Sequence, residues 1–176
     1  MEQENTKTHE QWEKGFEEFK AKYPDMPEVK HIETLDLLMR REYAEDILAG
    51  RKRVEFRDAS QYYDKKLVDM PMFEYIDKKI NEEDKDFLEI HQEYVSAVRL
   101  VDKIHFHNYN NSWYLDVEVQ FNELITADDE GVEFMQKEFN CHELDKENEW
   151  AKTENKKFPS YYYFVLGDVI DTNLEK

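Results

Sequence analysis

One acidic and three basic side chains lie close together in one short segment, from Lys52 to Arg57, and together they could bind or transform a polar ligand. With a spacing of two residues, Arg53, Glu55 and Arg57 would share one face of a β-strand. A guanidinium such as Arg57 binds anions, and a carboxylate such as Glu55 accepts hydrogen bonds from an exocyclic amine or a ribose hydroxyl. The alternative is a Glu–Arg pair that satisfies itself, which contributes about 0.2–1 kcal/mol across a sheet. The spacing alone leaves both interpretations open.

Two elements must position this segment, a helix before it and a strand that contains it. Residues 43–48 show apolar positions at helical spacing, and Gly50 stands where the end of a helix requires a residue that tolerates positive φ. After the glycine the period changes to two, so Val54 and Phe56 would face a core and leave the charged face free. Three further cations lie near this turn in the sequence: Arg41, Arg51 and Lys52. The pattern predicts a mixed-charge pocket between a helix end and a strand.

The run Gly50–Arg57 resembles the G-x-K-x-x-E-x-R signature of ASCH domains, which belong to the PUA-like β-barrel folds. Residues 34–39 and 43–48 are similar to the first strand and first helix of that family, with weaker similarity over residues 97–121 and 158–172. The resemblance implies an α+β fold, a PUA-like mixed β-barrel of five to six strands with flanking helices and an extra N-terminal helix. It also implies a pocket for a nucleotide, a modified nucleoside or a short single-stranded RNA. The expected ligand-binding residues are Arg41, Gly50, Arg51, Lys52, Glu55 and Arg57.

One branch of this family has a similar motif and acts as an amidohydrolase on acetylated cytidine. That branch has a lysine where Lys52 stands, a threonine nucleophile where this sequence has Glu55, and a further glutamate with no assigned counterpart here. Loss of the hydroxyl removes that nucleophile. Glu55 could still act as a general base for water while Lys52 polarises a carbonyl, so catalysis by these two residues is the alternative to simple binding. A third hypothesis is a protein-interaction module that binds a basic partner through the acidic surface and residues 59–94.

The composition is strongly acidic, with a formal charge of −18 and a pI near 4.7. Nucleic-acid-binding proteins usually carry basic surfaces because counterion release drives their affinity, so we expect no strong binding to duplex DNA. The charge also disfavours anionic membranes. The polar start from Glu2 to Glu10, and the lack of an apolar run of about 20 residues, predict a cytoplasmic protein without a membrane span. A single cysteine, Cys141, excludes an intrachain disulfide.

Metal or cofactor chemistry has little support in the sequence. His105 and His107 would share one strand face, but no C-x-x-C or H-E-x-x-H motif supplies further ligands. We therefore expect these histidines to be exposed or hydrogen-bonded, and we expect neither a metal nor a cofactor. The sequence does not determine the oligomeric state.

The predicted domain organisation has an N-terminal helical extension over residues 1–30 and an ASCH-like domain over 31–176, with an insertion at about 59–94. In the extension, Thr8 and Gln11 fit a capping box, and an aromatic stripe at helical spacing is expected to pack on the barrel: Trp12, Phe16, Phe19 and Tyr23. The insertion contains a short helix at about 60–67, and its remainder could be a functional lid or a disordered segment.

The second half of the chain has clearer local patterns. A hairpin is predicted in which Ile104 and Phe106 face the core opposite a strand over residues 113–121, whose inward residues would be Leu115, Val117, Val119 and Phe121. Residues 128–139 are predicted to form a helix and residues 141–157 a charged connector. Residues 161–166 are predicted to form a central strand buried on both faces, which ends at Gly167-Asp168.

Overall fold

The computed structural model describes residues 7–175, and these residues form an α+β fold with one five-stranded mixed sheet and seven helices. In chain order the elements are α1 His9–Lys22, β1 His31–Leu38, α2 Arg41–Leu48, β2 Val54–Asp58, α3 Gln61–Leu67, α4 Met70–Asn81, α5 Lys85–Tyr94, β3 Leu100–His107, β4 Tyr114–Thr126, α6 Asp129–Phe139, α7 Asp145–Thr153 and β5 Ser160–Thr172.

The sheet has the strand order β1-β3-β4-β5-β2, with β1 and β3 parallel and the other neighbours antiparallel. The expected closed barrel is wrong, because β1 and β2 form opposite edges and no ladder joins them within residues 7–175. Where these two edges approach each other, the Arg57 guanidinium donates to the Leu38 carbonyl at 2.8 Å. A side chain of one edge strand thus donates a hydrogen bond to a backbone carbonyl of the other.

The chain divides into two compact units. The sheet unit comprises residues 30–68 and 98–175 of the described chain, and the helical unit comprises residues 7–29 and 69–97. The first six residues of the predicted 1–30 extension lie outside the described residues. In the sheet unit, one face of the sheet packs on Ala44 and Ile47 of α2, and the other face packs on Met135 of α6.

The aromatic stripe of α1 packs within the helical unit. Phe19 is buried with Met72 and Phe87, which lie on α4 and α5 of the predicted insertion. The capping box of Thr8 and Gln11 is confirmed. The expectation that this stripe packs on the barrel is wrong, because the insertion brings apolar helix faces of its own that complete a separate core.

The predicted hairpin is confirmed, with Ile104 paired to Val117 and Phe106 to Leu115, and all four side chains are buried. The inward assignment of Phe121 is wrong, since its side chain is 46% exposed. Irregularities in the β4–β5 register after residues 116, 117 and 119 shift the alternation of faces, and Asn122 becomes buried instead. Asn122 accepts from the Val101 N–H at 2.9 Å and donates to the Arg99 carbonyl at 2.8 Å.

The last strand is central, as predicted, because β5 pairs with β4 on one side and β2 on the other. It continues beyond Gly167 to Thr172, so the predicted end was too early. The α6 helix is confirmed, with Asp128 as its N-cap. The predicted connector over 141–157 contains helix α7, which has only a weak apolar pattern. A polar residue, Asn148, helps to hold this helix in place, because its side chain is buried and donates to the Ala127 carbonyl at 3.1 Å.

Candidate ligand-binding site

The turn between α2 and β2 begins the site, and its geometry follows from Gly50. Gly50 has φ of +77°, a conformation that L-residues with a Cβ rarely adopt. Its N–H donates to the Ile47 carbonyl at 3.0 Å, and the Arg51 N–H donates to the Asp46 carbonyl at 2.9 Å. This pair of bonds is a Schellman motif, which ends the helix and redirects the chain into β2. The predicted helix stop is therefore confirmed.

Three of the predicted site residues converge just beyond this turn. The Glu55 side chain is 9% exposed, and its carboxylate lies between Lys52 Nζ at 3.7 Å and Arg57 Nη2 at 3.5 Å. The side chains of Lys52 and Arg57 are themselves only 11% and 19% exposed. Glu55 also accepts a hydrogen bond from the N–H of Phe56 at 3.0 Å. The carboxylate is thus buried rather than presented to open solvent.

Arg57 joins this cluster to two other elements. Besides the Leu38 carbonyl at the end of β1, the guanidinium contacts the Tyr63 hydroxyl of α3 at 3.3 Å. A planar guanidinium held by three groups has little freedom to rotate, which fixes the direction of its remaining donors.

Two shallow depressions meet at Glu55. One, of about 460 Å³, is lined by Tyr43, Lys52, Glu55 and three residues that precede or begin α7: His142, Glu143 and Lys146. The other, of about 390 Å³, lies between the sheet edges and is lined by Arg57, Tyr63 and residues at the end of β1. Tyr43 and Glu55 line both depressions, and the Tyr43 side chain is exposed. A ligand in either depression can therefore reach the carboxylate.

The other predicted site residues lie around this cluster without joining it. Arg41 forms an ion pair with Glu45 at 2.8 Å along the exposed side of α2. Arg51 pairs with Asp46 at 2.8 Å, one turn back along the same helix. Gly50 lines neighbouring depressions but neither of those that contain Glu55.

Glu143 also belongs to the cluster, although the sequence pattern did not predict it as a site residue. Its carboxylate lies 3.0 Å from Lys52 Nζ, closer than Glu55 does. The neighbouring Leu144 is buried against Val54 and Met135, which holds the segment against the sheet. Leu144, a single apolar residue within a charged run, was the one feature of the sequence that indicated contact between this segment and the sheet.

Burial controls the protonation of two nearby kinds of side chain. Burial raises the pKa of the Cys141 thiol, with the Glu143 charge adding to the effect, so the thiol next to this cluster stays neutral. On β5, burial raises the pKa of Tyr161 and Tyr163 to about 12. Neither effect supplies a reactive anion near neutral pH.

The two histidines of β3 are held by contacts within the sheet. The rings of His105 and His107 stack, and His105 Nδ1 bonds to Asp116. No three His, Cys, Asp or Glu side chains among residues 7–175 group closely enough to hold a metal ion. Across that same range, no helix combines the length and apolar character needed to cross a bilayer.

Comparison with known proteins returned no match to any family model, any curated protein or any solved structure.

Proposed function

We propose that the cluster around Glu55 is an ASCH-type ligand site that binds the base of a nucleotide, a modified nucleoside or a short single-stranded RNA. The observation that carries this proposal is the loose pairing of a buried carboxylate. A carboxylate offers about four acceptor positions, and charge-assisted N–H···O bonds are usually about 2.7–2.9 Å long. Glu55 has one bond of ordinary length, from Phe56, while its two cations stand at 3.5 and 3.7 Å. This leaves acceptor capacity for a donor on a ligand.

The groups around Glu55 suit the edge of a nucleobase. Glu55 can accept from an exocyclic amine, and the neighbouring Lys52 and Arg57 can donate to a ring carbonyl or nitrogen. The exposed ring of Tyr43 lines both depressions, and Lys52 Nζ lies 5.8 Å from its centroid. Aromatic rings at a pocket rim stack on bases of any sequence, contributing about 1–3 kcal/mol per base. An acceptor, two donors and a ring together favour a base whose edge carries an amine followed by a ring nitrogen and a carbonyl, as in cytosine.

Calorimetric titration with nucleosides and short RNAs tests this proposal. We expect Glu55→Gln, which preserves shape but offers a donor where an acceptor is needed, to weaken binding by about tenfold or more. The matched control is Glu45→Gln, an exposed carboxylate on α2 that pairs with Arg41. Unchanged binding in both Glu55→Gln and Arg57→Gln would refute the assignment of the site.

A second candidate, hydrolysis of an acylated nucleobase such as acetylated cytidine, is favoured by the position of Lys52 between two carboxylates. Lys52 Nζ lies 3.0 Å from Glu143 and 3.7 Å from Glu55. In this scheme Glu55 takes a proton from water, the hydroxide adds to the amide carbonyl and Lys52 stabilises the oxyanion. Collapse breaks the C–N bond, the protonated carboxyl returns the proton to the leaving amine, and acetate is released. Glu143 would supply the further glutamate that the resembling hydrolases possess.

Incubation with N4-acetylcytidine separates binding from hydrolysis. If the second candidate is correct, chromatography will detect cytidine and acetate, and Lys52→Met will abolish turnover while Lys146→Met, at the rim of the same depression, will reduce it far less. Binding of acetylated cytidine without product above the uncatalysed rate would refute hydrolysis and leave the binding function standing.

A further inference from the structure

Adjoining depressions that share wall residues form a groove next to the Glu55 pocket, and Lys52 lines each of them. Beyond the depression at Glu143, Lys52 borders a depression of about 410 Å³ at the Gly50 turn and another of about 530 Å³ towards the end of α6. The last two share Gly50, Arg53 and Asn140 in their walls. A ligand bound at Glu55 therefore lies next to these depressions.

Two cations in this groove have no acidic partner among the described residues. Arg53 and Lys137 are exposed, and neither forms an ion pair with any residue between 7 and 175. By contrast, Arg51 of the same turn is paired with Asp46. Other exposed cations, such as Lys156 and Lys157, form no ion pair with a described residue either, but Arg53 and Lys137 together line one concave surface. Unpaired cations in a concave surface retain their full capacity to bind an anion.

We propose that Arg53 and Lys137 bind a phosphate joined to the nucleoside in the Glu55 pocket, so that the ligand is a nucleotide unit rather than a free nucleoside. This inference rests on the proposed nucleobase site. Arg53 precedes Glu55 by two residues, a separation of about 7 Å along an extended chain, so the two ends of one nucleotide can be held at once. The phosphate can be a terminal monophosphate or a phosphodiester of a short single strand.

Acidic side chains limit how much negative charge the groove accepts. Glu138 and Asp168 line the larger depression beside Arg53 and Lys137. Asp168 is exposed and forms no ion pair with a described residue. Its charge opposes a bound phosphate, and removing it should strengthen binding. Replacing Asp168 is therefore expected to increase the affinity for phosphate, a change that misfolding of the variant would not produce.

The first experiment compares nucleosides with their 5′-monophosphates by calorimetry. For the wild type, we expect the best-bound nucleoside to gain about tenfold in affinity from the phosphate, with the gain decreasing as salt rises. In the double variant Arg53→Gln, Lys137→Gln, we expect that gain to vanish while nucleoside binding stays unchanged. The charge-matched control is Lys156→Gln, Lys157→Gln, two exposed lysines outside the groove, which should keep the full gain.

The second experiment uses Asp168→Asn, which we expect to raise monophosphate affinity by about twofold to fivefold without affecting the nucleoside. Tetranucleotides with and without a 5′-phosphate then separate the two sources. A requirement for the terminal group indicates a mononucleotide end, and equal binding of both indicates a phosphodiester.

The outcomes distinguish the phosphate site from the base site. If nucleosides and monophosphates bind the wild type equally, or if the Arg53/Lys137 variant keeps the gain, the phosphate site is refuted and the base pocket stands. If no nucleoside, monophosphate or tetranucleotide binds, both proposals are refuted.

Discussion

Replacing Glu55 by glutamine tests how the central carboxylate is held. Breaking a fully buried ion pair by removing one partner costs about 3–5 kcal/mol, because the remaining charge is left uncompensated. Here each cation keeps a partner closer than the one it loses. Lys52 Nζ keeps Glu143 at 3.0 Å and loses Glu55 at 3.7 Å, while Arg57 Nη2 keeps the Leu38 carbonyl at 2.8 Å and loses Glu55 at 3.5 Å. The glutamine oxygen can still accept from the Phe56 N–H.

We therefore expect Glu55→Gln to lower the free energy of unfolding by about 1–2 kcal/mol. Urea unfolding followed by tryptophan fluorescence measures this change, in a Trp12→Phe background that leaves Trp113 and Trp150 as reporters in the sheet unit. This background matters because two compact units need not unfold in one transition. Glu45→Gln, at an exposed helical ion pair, should change stability by less than about 0.5 kcal/mol.

A loss of more than about 3 kcal/mol would refute this reasoning. It would mean that the carboxylate is a structural counter-ion whose two cations depend on it, and that it has no capacity in reserve for a ligand. A loss within the expected range, combined with weakened ligand binding, would support a site built for recognition.

Three further predictions concern stability. Asn122→Ala leaves the Val101 N–H and the Arg99 carbonyl without their partner, so urea unfolding should show a loss of about 2–4 kcal/mol; a loss below about 1 kcal/mol would mean that water replaces the amide. Gly50→Ala has space for its methyl group but must adopt φ of +77°, so we expect a loss of about 1–2 kcal/mol in the same assay, and no change would mean that the turn relaxes. The raised pKa values of Tyr161 and Tyr163, about 12, mean that their contribution to stability is complete below pH 10 and is lost as the pH rises towards 12; ultraviolet titration should detect these phenols ionising only as the pH approaches 12, and their ionisation near pH 10 in the folded protein would contradict the burial.

Local sequence patterns were sufficient to predict the helix and the strand around the site. The other contacts of the site depend on tertiary packing. The helix stop at Gly50 depends on one residue's backbone preference, so the sequence is sufficient to find it. The convergence of Glu55 and Arg57 follows from the period of a strand. Glu143 is different, because it reaches Lys52 only when Leu144 docks on the sheet.

The errors have the same origin. Phe121 breaks the predicted alternation because the β4–β5 register is irregular, and such irregularities depend on the partner strand. The prediction of a closed barrel was wrong because the pairing of edge strands depends on the arrangement of the whole sheet. The position of Phe19 depended on apolar faces far away in the sequence, which a local pattern does not contain.

The strand order has a consequence for how the protein is made. β2, which carries Glu55 and Arg57, has β5 as its neighbour in the sheet, and β5 follows every other strand of the described residues. During synthesis on the ribosome, β2 is complete early but has no ladder to join until the residues of β5, Ser160–Thr172, emerge. Strands so distant in sequence pair slowly, because the intervening chain must first lose conformational entropy. A nascent chain therefore cannot pair β2 with its neighbour before residues 160–172 have emerged, and any product truncated before Ser160 would lack this ladder.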